Sequence, residues 1–253
     1  VVQDPQTGRR YSRYFHVPRG PDDLLRRRDL IETVTREARS FVPLIKEIGT
    51  DALFALLIVC AEMDRELGTS FLPRVQAFYE RCRDGDLAMA VAQTDVKGDR
   101  GRRPSEQPHP DLYVRCVRET ADGIVVRGAK AHTTNAVYSN EILVLPTRAM
   151  TEGDAAYAVA FAIPADTPGL SFVASPRGFG ATSPFDNPLS SRYGITESLT
   201  VFDDVFVPWE RVFLCGQWAY AGPLAKTFVE FHRFTAISYK TPLLELLVGS
   251  AAW

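Results

Sequence analysis

The sequence is poor in the side chains that build metal centres, with only 4 Cys and 4 His. Cys60, Cys82, Cys116 and Cys215 are scattered, forming no C-x-x-C pair and no Cys/His set at zinc or iron–sulfur spacing. Isolated cysteines of this kind read as reduced, buried thiols, which fits the cytoplasm. Charge of one sign is lacking as well: 29 Lys and Arg against 31 Asp and Glu leave −2 at pH 7. That balance gives no field to draw in nucleic acid or another polyanion. The basic runs (Arg26, Arg27, Arg28; Arg100, Arg102, Arg103) are short and diluted by nearby acids, so the first reads as a solvated face or helix end. There is no signal-peptide pattern and no apolar run of membrane-spanning length; "LFALLIVCAEM" is too short and reads as a buried helix. No internal repeat or low-complexity tract occurs. The run "TPLLELLVGSAAW" stops at Trp253 with no Gly or Asn cap, and the chain starts at Val1, so a truncated chain is expected.

What is present is enough for a sizeable core: 253 residues, 45% hydrophobic and 24% charged, the composition of a globular protein of one or two domains. The first twenty residues are aromatic and punctuated by Pro and Gly, an arm lying on the body. Helical spacing runs from Asp22 to about Ile48. Asp51 stands as an N-cap before the apolar run Ala52 to Met63, and Ser70 as a cap for a third helix ending at Gly85. The pattern then changes. "LYVRCVRETADGIVVRGAKAHTT" alternates about a "DG" turn, and "NEILVLPT", "YAVAFAIPA", "LSFVAS" and "SLTVFDDVFVP" follow as strands. "PWERVFL" leads back to helical spacing. The expectation is an α+β protein with an N-terminal arm and helical domain over 1–87, a compact antiparallel, barrel-like β domain over 88–215, and the start of a helical bundle over 216–253.

Two polar stretches are candidates for chemistry. "QTDVKGDR" places hydroxyl, carboxylate, ammonium and guanidinium groups together, with Gly98 permitting a tight turn. Thr94 and nearby backbone N–H groups suit the edge of a heterocycle, and Lys97 and Arg100 suit phosphate or an anionic ring. The second, "AKAHTTNA", groups His132, Thr133, Thr134 and Asn135 at a strand end. By residue type alone, a polar helix-to-strand loop and a surface or satisfied histidine are the plainer explanations of both.

These residues carry a resemblance. "QTDVKGDR", "PDLYVR" and "ETADGIVVRGAKAHTTNAV" resemble the middle domain of the 4-hydroxybutyryl-CoA dehydratases, and "SPFDNPLSSRYGITESLTVFDDVFVPWERVFL" resembles the 4-hydroxyphenylacetate 3-hydroxylases. The two families form one superfamily with an acyl-CoA dehydrogenase-like fold. The resemblance implies FAD lying between the β domain and the last helices, held by Gln93, Thr94, Asp95, Lys97, Asp99 and Arg100. It sets His132, Thr133, Thr134 and Asn135 against the isoalloxazine, with Thr134 near the redox-active edge. It also implies homotetramers or dimers.

The chain departs from both sets of relatives. The paired cysteines of the dehydratase iron–sulfur cluster fall near Pro43 and Glu47, and the third falls at Tyr239; only His232 matches a ligand. A cluster that depends on thiolates is therefore not expected. The dehydratase's active-site tyrosine is Ala236, whereas Lys240 matches its counterpart. The phenol-binding Arg, Tyr and His of the hydroxylases fall at Ile48, Ala52 and Val91. The expected function is the oxygenase component of a two-component flavin hydroxylase. It would take reduced FAD from a separate flavin reductase, with His232 and Lys240 as acid, base or anion-binding groups two helical turns apart. The substrate is small, phenolic or acyl-CoA, with no nucleic-acid or membrane partner. The alternatives are a dehydratase or isomerase of hydroxyacyl-CoA, and a catalytically inactive or truncated scaffold.

Overall fold

The computed structural model describes residues 1–5, 7–38, 46–175, 183, 185–186 and 195–253. A small hairpin, β1 (Val2–Gln3) with β2 (Arg10–Tyr11), forms the arm. Helix α1 (Pro21–Glu37) opens with Pro21 at its first position and Asp22 and Asp23 in its first turn, both suited to a helix N-terminus. Its buried positions, Arg27, Ile31 and Thr35, recur every four residues and form one stripe. The basic run is therefore not simply a solvated face: Arg26 and Arg28 are exposed, but Arg27 points inward. α1 also ends well before Ile48, and residues 39–45, with Pro43, lie outside the described residues.

Helix α2 (Glu47–Leu67) begins earlier than expected, so Asp51 is not its N-cap. It lies within the helix, fully buried, because its carboxylate pairs with Arg27 rather than with the helix's own N–H groups. α2 ends at Gly68, whose φ of 66° is the left-handed conformation common at such ends. Helix α3 (Phe71–Asp84) follows Ser70 and stops at Gly85, yet the Ser70 side chain makes no cap bond. Asp64 serves instead, accepting from the backbone N–H of Phe71 at 2.9 Å and of Leu72 at 2.7 Å.

Two four-stranded sheets follow. One is ordered β10–β7–β6–β3 and the other β4–β5–β9–β8. The strands are β3 (Met89–Ala92), β4 (Arg115–Glu119), β5 (Gly123–Thr134), β6 (Glu141–Val144), β7 (Val159–Pro164), β8 (Leu170–Ala174), β9 (Glu197–Pro208) and β10 (Val212–Cys215). Both sheets are open, so the barrel-like expectation is corrected, and β3 pairs with β6 in parallel. The physical reason is the connection between them: the polar loop and the whole β4–β5 hairpin intervene, long enough for the crossover a parallel pair needs. β10 was hidden in "PWERVFL". The "DG" hairpin forms as expected, but Gly123 is needed for close approach, since a Cβ there would lie 2.2 Å from the Val207 carbonyl of β9.

A single apolar core runs from α2 and α3 through both sheets, including Leu53, Leu56, Met63, Phe78, Met89, Phe161 and Phe213. Gly49 brings α2 onto the start of β3: a Cβ there would meet Met89 Cβ at 2.5 Å. The long helix α4 (Trp218–Ala251) packs back over α1 and α2. Among the described residues, no helix is long and apolar enough to cross a membrane.

Replacing Asp64 with Ala removes the cap of α3 and is expected to cost about 1–2 kcal/mol in urea unfolding at neutral pH. Burial works to raise the Asp64 carboxyl, but bonds from Thr69, Phe71 and Leu72 outweigh it and hold the pKa below the ordinary value. A depressed folded-state pKa gives stability that is present above about 3.9 and lost as pH falls through the folded value. The deficit of Asp64→Ala should therefore shrink in acid.

Candidate functional site

β5 alternates inward and outward, and Ile124, Val126, Gly128 and Lys130 all fall on its buried positions. A lysine in that register must carry its charge into the core. Lys130 meets three acceptors there, one for each ammonium hydrogen: Asp95 Oδ1 at 2.8 Å, the Gln93 carbonyl at 2.8 Å and the Leu145 carbonyl at 2.9 Å. Burial lowers its pKa below that of free lysine, and the Asp95 charge opposes the shift. Asp95 Oδ1 also accepts from Val114 N at 3.1 Å, and Thr147 Oγ1 bonds Asp95 Oδ2 and the Gln93 carbonyl. Beside this pair, Ala131 N donates to the Thr94 carbonyl at 2.8 Å, closing a bridge between Asp95 and Lys130. The two polar stretches thus lie side by side.

That convergence divides the residues of the two stretches by role. The Asp95 carboxylate is spent on the core. Thr133 is fully buried and bonds Thr200 through its hydroxyl at 2.8 Å and Ser198 through its carbonyl at 3.1 Å. Asn135, in the left-handed conformation at φ 56°, accepts on its side-chain oxygen from Thr196 N at 3.3 Å. These three side chains hold the backbone of the two stretches. Asp99 caps its own turn, accepting from Gly101 N at 2.9 Å and pairing with Arg102. Unspent in the two stretches are the half-buried Thr94, Lys97 and Thr134, the exposed His132, and Arg100, which makes no ion pair among the described residues. Thr134 Oγ1 donates to Glu197 Oε1 at 2.8 Å. Glu197 Oε2 is buried without a hydrogen-bond partner and lies 3.9 Å from His132 Nδ1. Lys130, Thr147 and Glu197 escaped the sequence reading, although Lys130 is legible as a charge at an inward position of an alternating strand.

A second polar cluster lies between α1, α2 and α4. Arg27 donates to Asp51 Oδ1 at 2.7 Å, Thr50 Oγ1 at 2.9 Å and the carbonyls of Glu47 and Tyr14 at 3.1 and 3.0 Å. Thr235 of α4 donates to the same Asp51 oxygen at 3.0 Å. His232 stacks on Phe228 with rings 5.6 Å apart, and its Nδ1 lies 3.9 Å from Asp51 Oδ2, both atoms buried and without hydrogen-bond partners. Burial raises the Tyr239 pKa, with the nearby Asp51 and Glu47 charges adding to it, so Glu47, His232 and Tyr239 share one neighbourhood. Lys240 does not join them. Eight residues turn a helix about 80° past two full turns, and Lys240 is exposed. Among the described residues no contact links His232 to Thr134. The cluster meets the start of β3 at Met89, whereas Thr94 lies beyond its end, roughly 16 Å on at strand rise. A cleft of about 700 Å³ between the arm, α1 and α3, lined by Tyr11, Tyr14 and Leu30, contains none of the expected site residues.

Helices feeding paired open sheets, with a long helix folded back over the first, define the acyl-CoA dehydrogenase-like class. The likeness to a glutaryl-coenzyme A dehydrogenase, TM-score 0.54 at 13% identity over 90% of this chain and 50% of that one, is one of fold alone. Within the class, the family described as 4-hydroxyphenylacetate 3-hydroxylase N terminal matches residues 1–214, and the chain belongs to that family. It is 34% identical to the 4-hydroxybutyryl-CoA dehydratase/vinylacetyl-CoA-Delta-isomerase of Clostridium aminobutyricum, over 100% of this chain and 54% of that protein. It is 36% identical to the 4-hydroxyphenylacetate 3-monooxygenase oxygenase component of Thermus thermophilus, over 100% and 52%. A solved oxygenase component of 4-hydroxyphenylacetate 3-monooxygenase complexed with FAD superposes with TM-score 0.86 at 33% identity, over 98% of this chain and 51% of that one. The chain thus spans about half the length of the curated relatives it matches.

Lys130→Met should cost about 3–5 kcal/mol in chemical denaturation, because it strands the buried Asp95 charge. The double variant Lys130→Met/Asp95→Asn should recover part of that loss. At the second cluster, burial raises the Glu47 pKa. A raised folded-state pKa gives stability that is full below about 4.3 and lost as pH rises through the folded value. Glu47→Gln should therefore stabilise the protein at neutral pH, with the gain vanishing in acid, as read by thermal melts across pH.

Proposed function

We propose that this chain carries the flavin-holding part of a two-component oxygenase that takes reduced FAD from a separate reductase and hydroxylates a small phenolic substrate. The observation that carries the reading is the seam itself: a buried ion pair and an antiparallel bridge lock the two polar stretches together. The residues there fit a flavin. Glu197 Oε2 is a buried acceptor lacking a donor, and the isoalloxazine and ribityl chain bring N–H and O–H groups. Thr94 and Thr134 offer hydroxyls at the seam, while Lys97 and Arg100 offer charge to a pyrophosphate. Asp95, Thr133 and Asn135 keep those groups in position, and Gln93 contributes its carbonyl to the Lys130 anchor.

Bound reduced flavin supplies electrons to oxygen; the chain's own residues position it and manage protons. His232 is the candidate acid or base. The ring is stacked on Phe228 with its Nδ1 3.9 Å from Asp51 Oδ2, which leaves Nε2 to exchange the proton. Lys240, exposed one face away, is assigned no more than attraction of an anionic substrate. The same reading includes a cytoplasmic enzyme assembling as dimers or tetramers. A second reading, dehydration or isomerisation of a hydroxyacyl-CoA, is favoured by the gathering of Glu47, His232 and Tyr239 in one cluster. Those residues offer oxygen and nitrogen but no thiolate, so the iron–sulfur route of the dehydratases lacks its ligands here.

Titration of the chain with oxidised and reduced FAD tests the proposal. Stoichiometric binding is expected, and Thr134→Val should weaken it about tenfold, the effect of one lost hydrogen bond. His232→Asn should leave FAD affinity unchanged and lower product formation from a phenol panel in the presence of oxygen. A folded chain that takes up FAD in neither redox state sinks the reading; product from a hydroxyacyl-CoA without oxygen favours the second.

A further inference from the structure

Across the first sheet from β3, its other edge strand β10 ends beside β4, the edge strand of the second sheet. Here the scattered cysteines of the sequence are not all solitary. Cys60 and Cys82 are buried apart, but Cys116 of β4 and Cys215 of β10 are half-buried and face each other. With Glu119 they form a group whose sulfur and carboxylate oxygen atoms all lie within 4.8 Å of one another. Cys215 Sγ and Glu119 Oε1 are 3.8 Å apart.

The backbone is shaped to produce this meeting. In a regular strand, residues 116 and 119 would point to opposite faces, because side chains alternate. β4 carries a bulge: Cys116 pairs with Val126 and Arg118 with Val125, two steps on β4 against one on β5. The extra residue resets the alternation, so Cys116 and Glu119 turn to the same side. On the other strand, Cys215 N donates to Gln217 Oε1 at 2.9 Å and Gly216 N to the Ala158 carbonyl at 2.9 Å, with Gly216 at φ 90°. That turn fixes Cys215 at the strand end, and a cleft of about 340 Å³ between it and Ala155 and Ala156 opens onto the group.

We propose that Cys116, Cys215 and Glu119 bind a thiophilic divalent cation of the zinc type. Two thiolates and one carboxylate are donors that zinc accepts, and the cleft leaves a fourth position for water or a small ligand. The spacing is close to what coordination demands. Bonds of about 2.3 Å to sulfur and 2.1 Å to oxygen in a tetrahedron set S···O near about 3.6 Å and S···S near about 3.8 Å. Glu119 makes no ion pair with Lys or Arg among the described residues, so its carboxylate is free to serve. On coordination each thiol gives its proton to solvent, and the ion ties β4 of one sheet to β10 of the other. This site is independent of the flavin reading.

The test uses the reduced, metal-free chain and Co²⁺ as the probe. One equivalent should bind with a thiolate-to-cobalt charge-transfer band, and Zn²⁺ should displace it. Cys116→Ser and Cys215→Ser should each weaken binding at least roughly a hundredfold, and Glu119→Gln about tenfold while keeping the band. Cys60→Ala should change nothing. X-ray absorption of the Zn²⁺-loaded unmodified chain, which needs no variant to fold, should show two sulfur neighbours. No band, a band that survives both serine variants, or a zinc shell of nitrogen and oxygen alone overturns the proposal. So does a chain that forms a Cys116–Cys215 disulfide in air and, once reduced, binds no Co²⁺.

Discussion

A single buried ammonium organises the candidate site. Lys130 enters the core because β5 alternates, and it is tolerable there because Asp95 and two carbonyls accept its three hydrogens. Isolated, either charge would cost several kcal/mol to bury. Paired, they fasten the loop leaving β3 to the middle of β5 and to the end of β6. The two polar stretches owe their adjacency to that fastening. A family likeness in this region therefore has a physical content: the polar sequence is divided between groups that build the seam and groups the seam presents.

The helical cluster repeats the device with different chemistry. Arg27 and Asp51 pair inside the packing of α1, α2 and α4, and Thr235 completes the carboxylate's shell. Glu47, His232 and Tyr239, three positions that the resemblance matches to cluster ligands of the dehydratases, lie near Asp51 here. Charged groups inside a helix interface are costly, and an Asp–His approach of 3.9 Å with both atoms unpartnered is a poor stabiliser.

Much was legible beforehand. Periodicity identified the helical first third, the hairpin about Gly123 and most strands, because burial on one face imposes a period that composition records. It failed where a residue's role depends on a distant partner. Asp51 resembles a cap because aspartate before an apolar run usually is one, and only Arg27 explains why it lies inside the helix. Arg27 resembles a solvated charge because its neighbours are, while Ser70 stands at a cap position that Asp64 fills from the preceding helix. The barrel-like expectation failed for a related reason: strand order and closure are set by pairing, which local pattern does not encode.

The amino-acid sequence by itself determined the family, the order of helices and strands, and the residue types available for chemistry, since these are carried by local pattern and motif. Only the tertiary structure decided which polar side chains are consumed in holding the fold and which stay available. It separated two residues that helical spacing had set on one face, turning His232 toward Asp51 and Lys240 toward solvent. It also showed that two of four scattered cysteines meet across sheet edges. Those outcomes depend on contacts between residues tens of positions apart, where burial and distance, rather than spacing along the chain, set the chemistry.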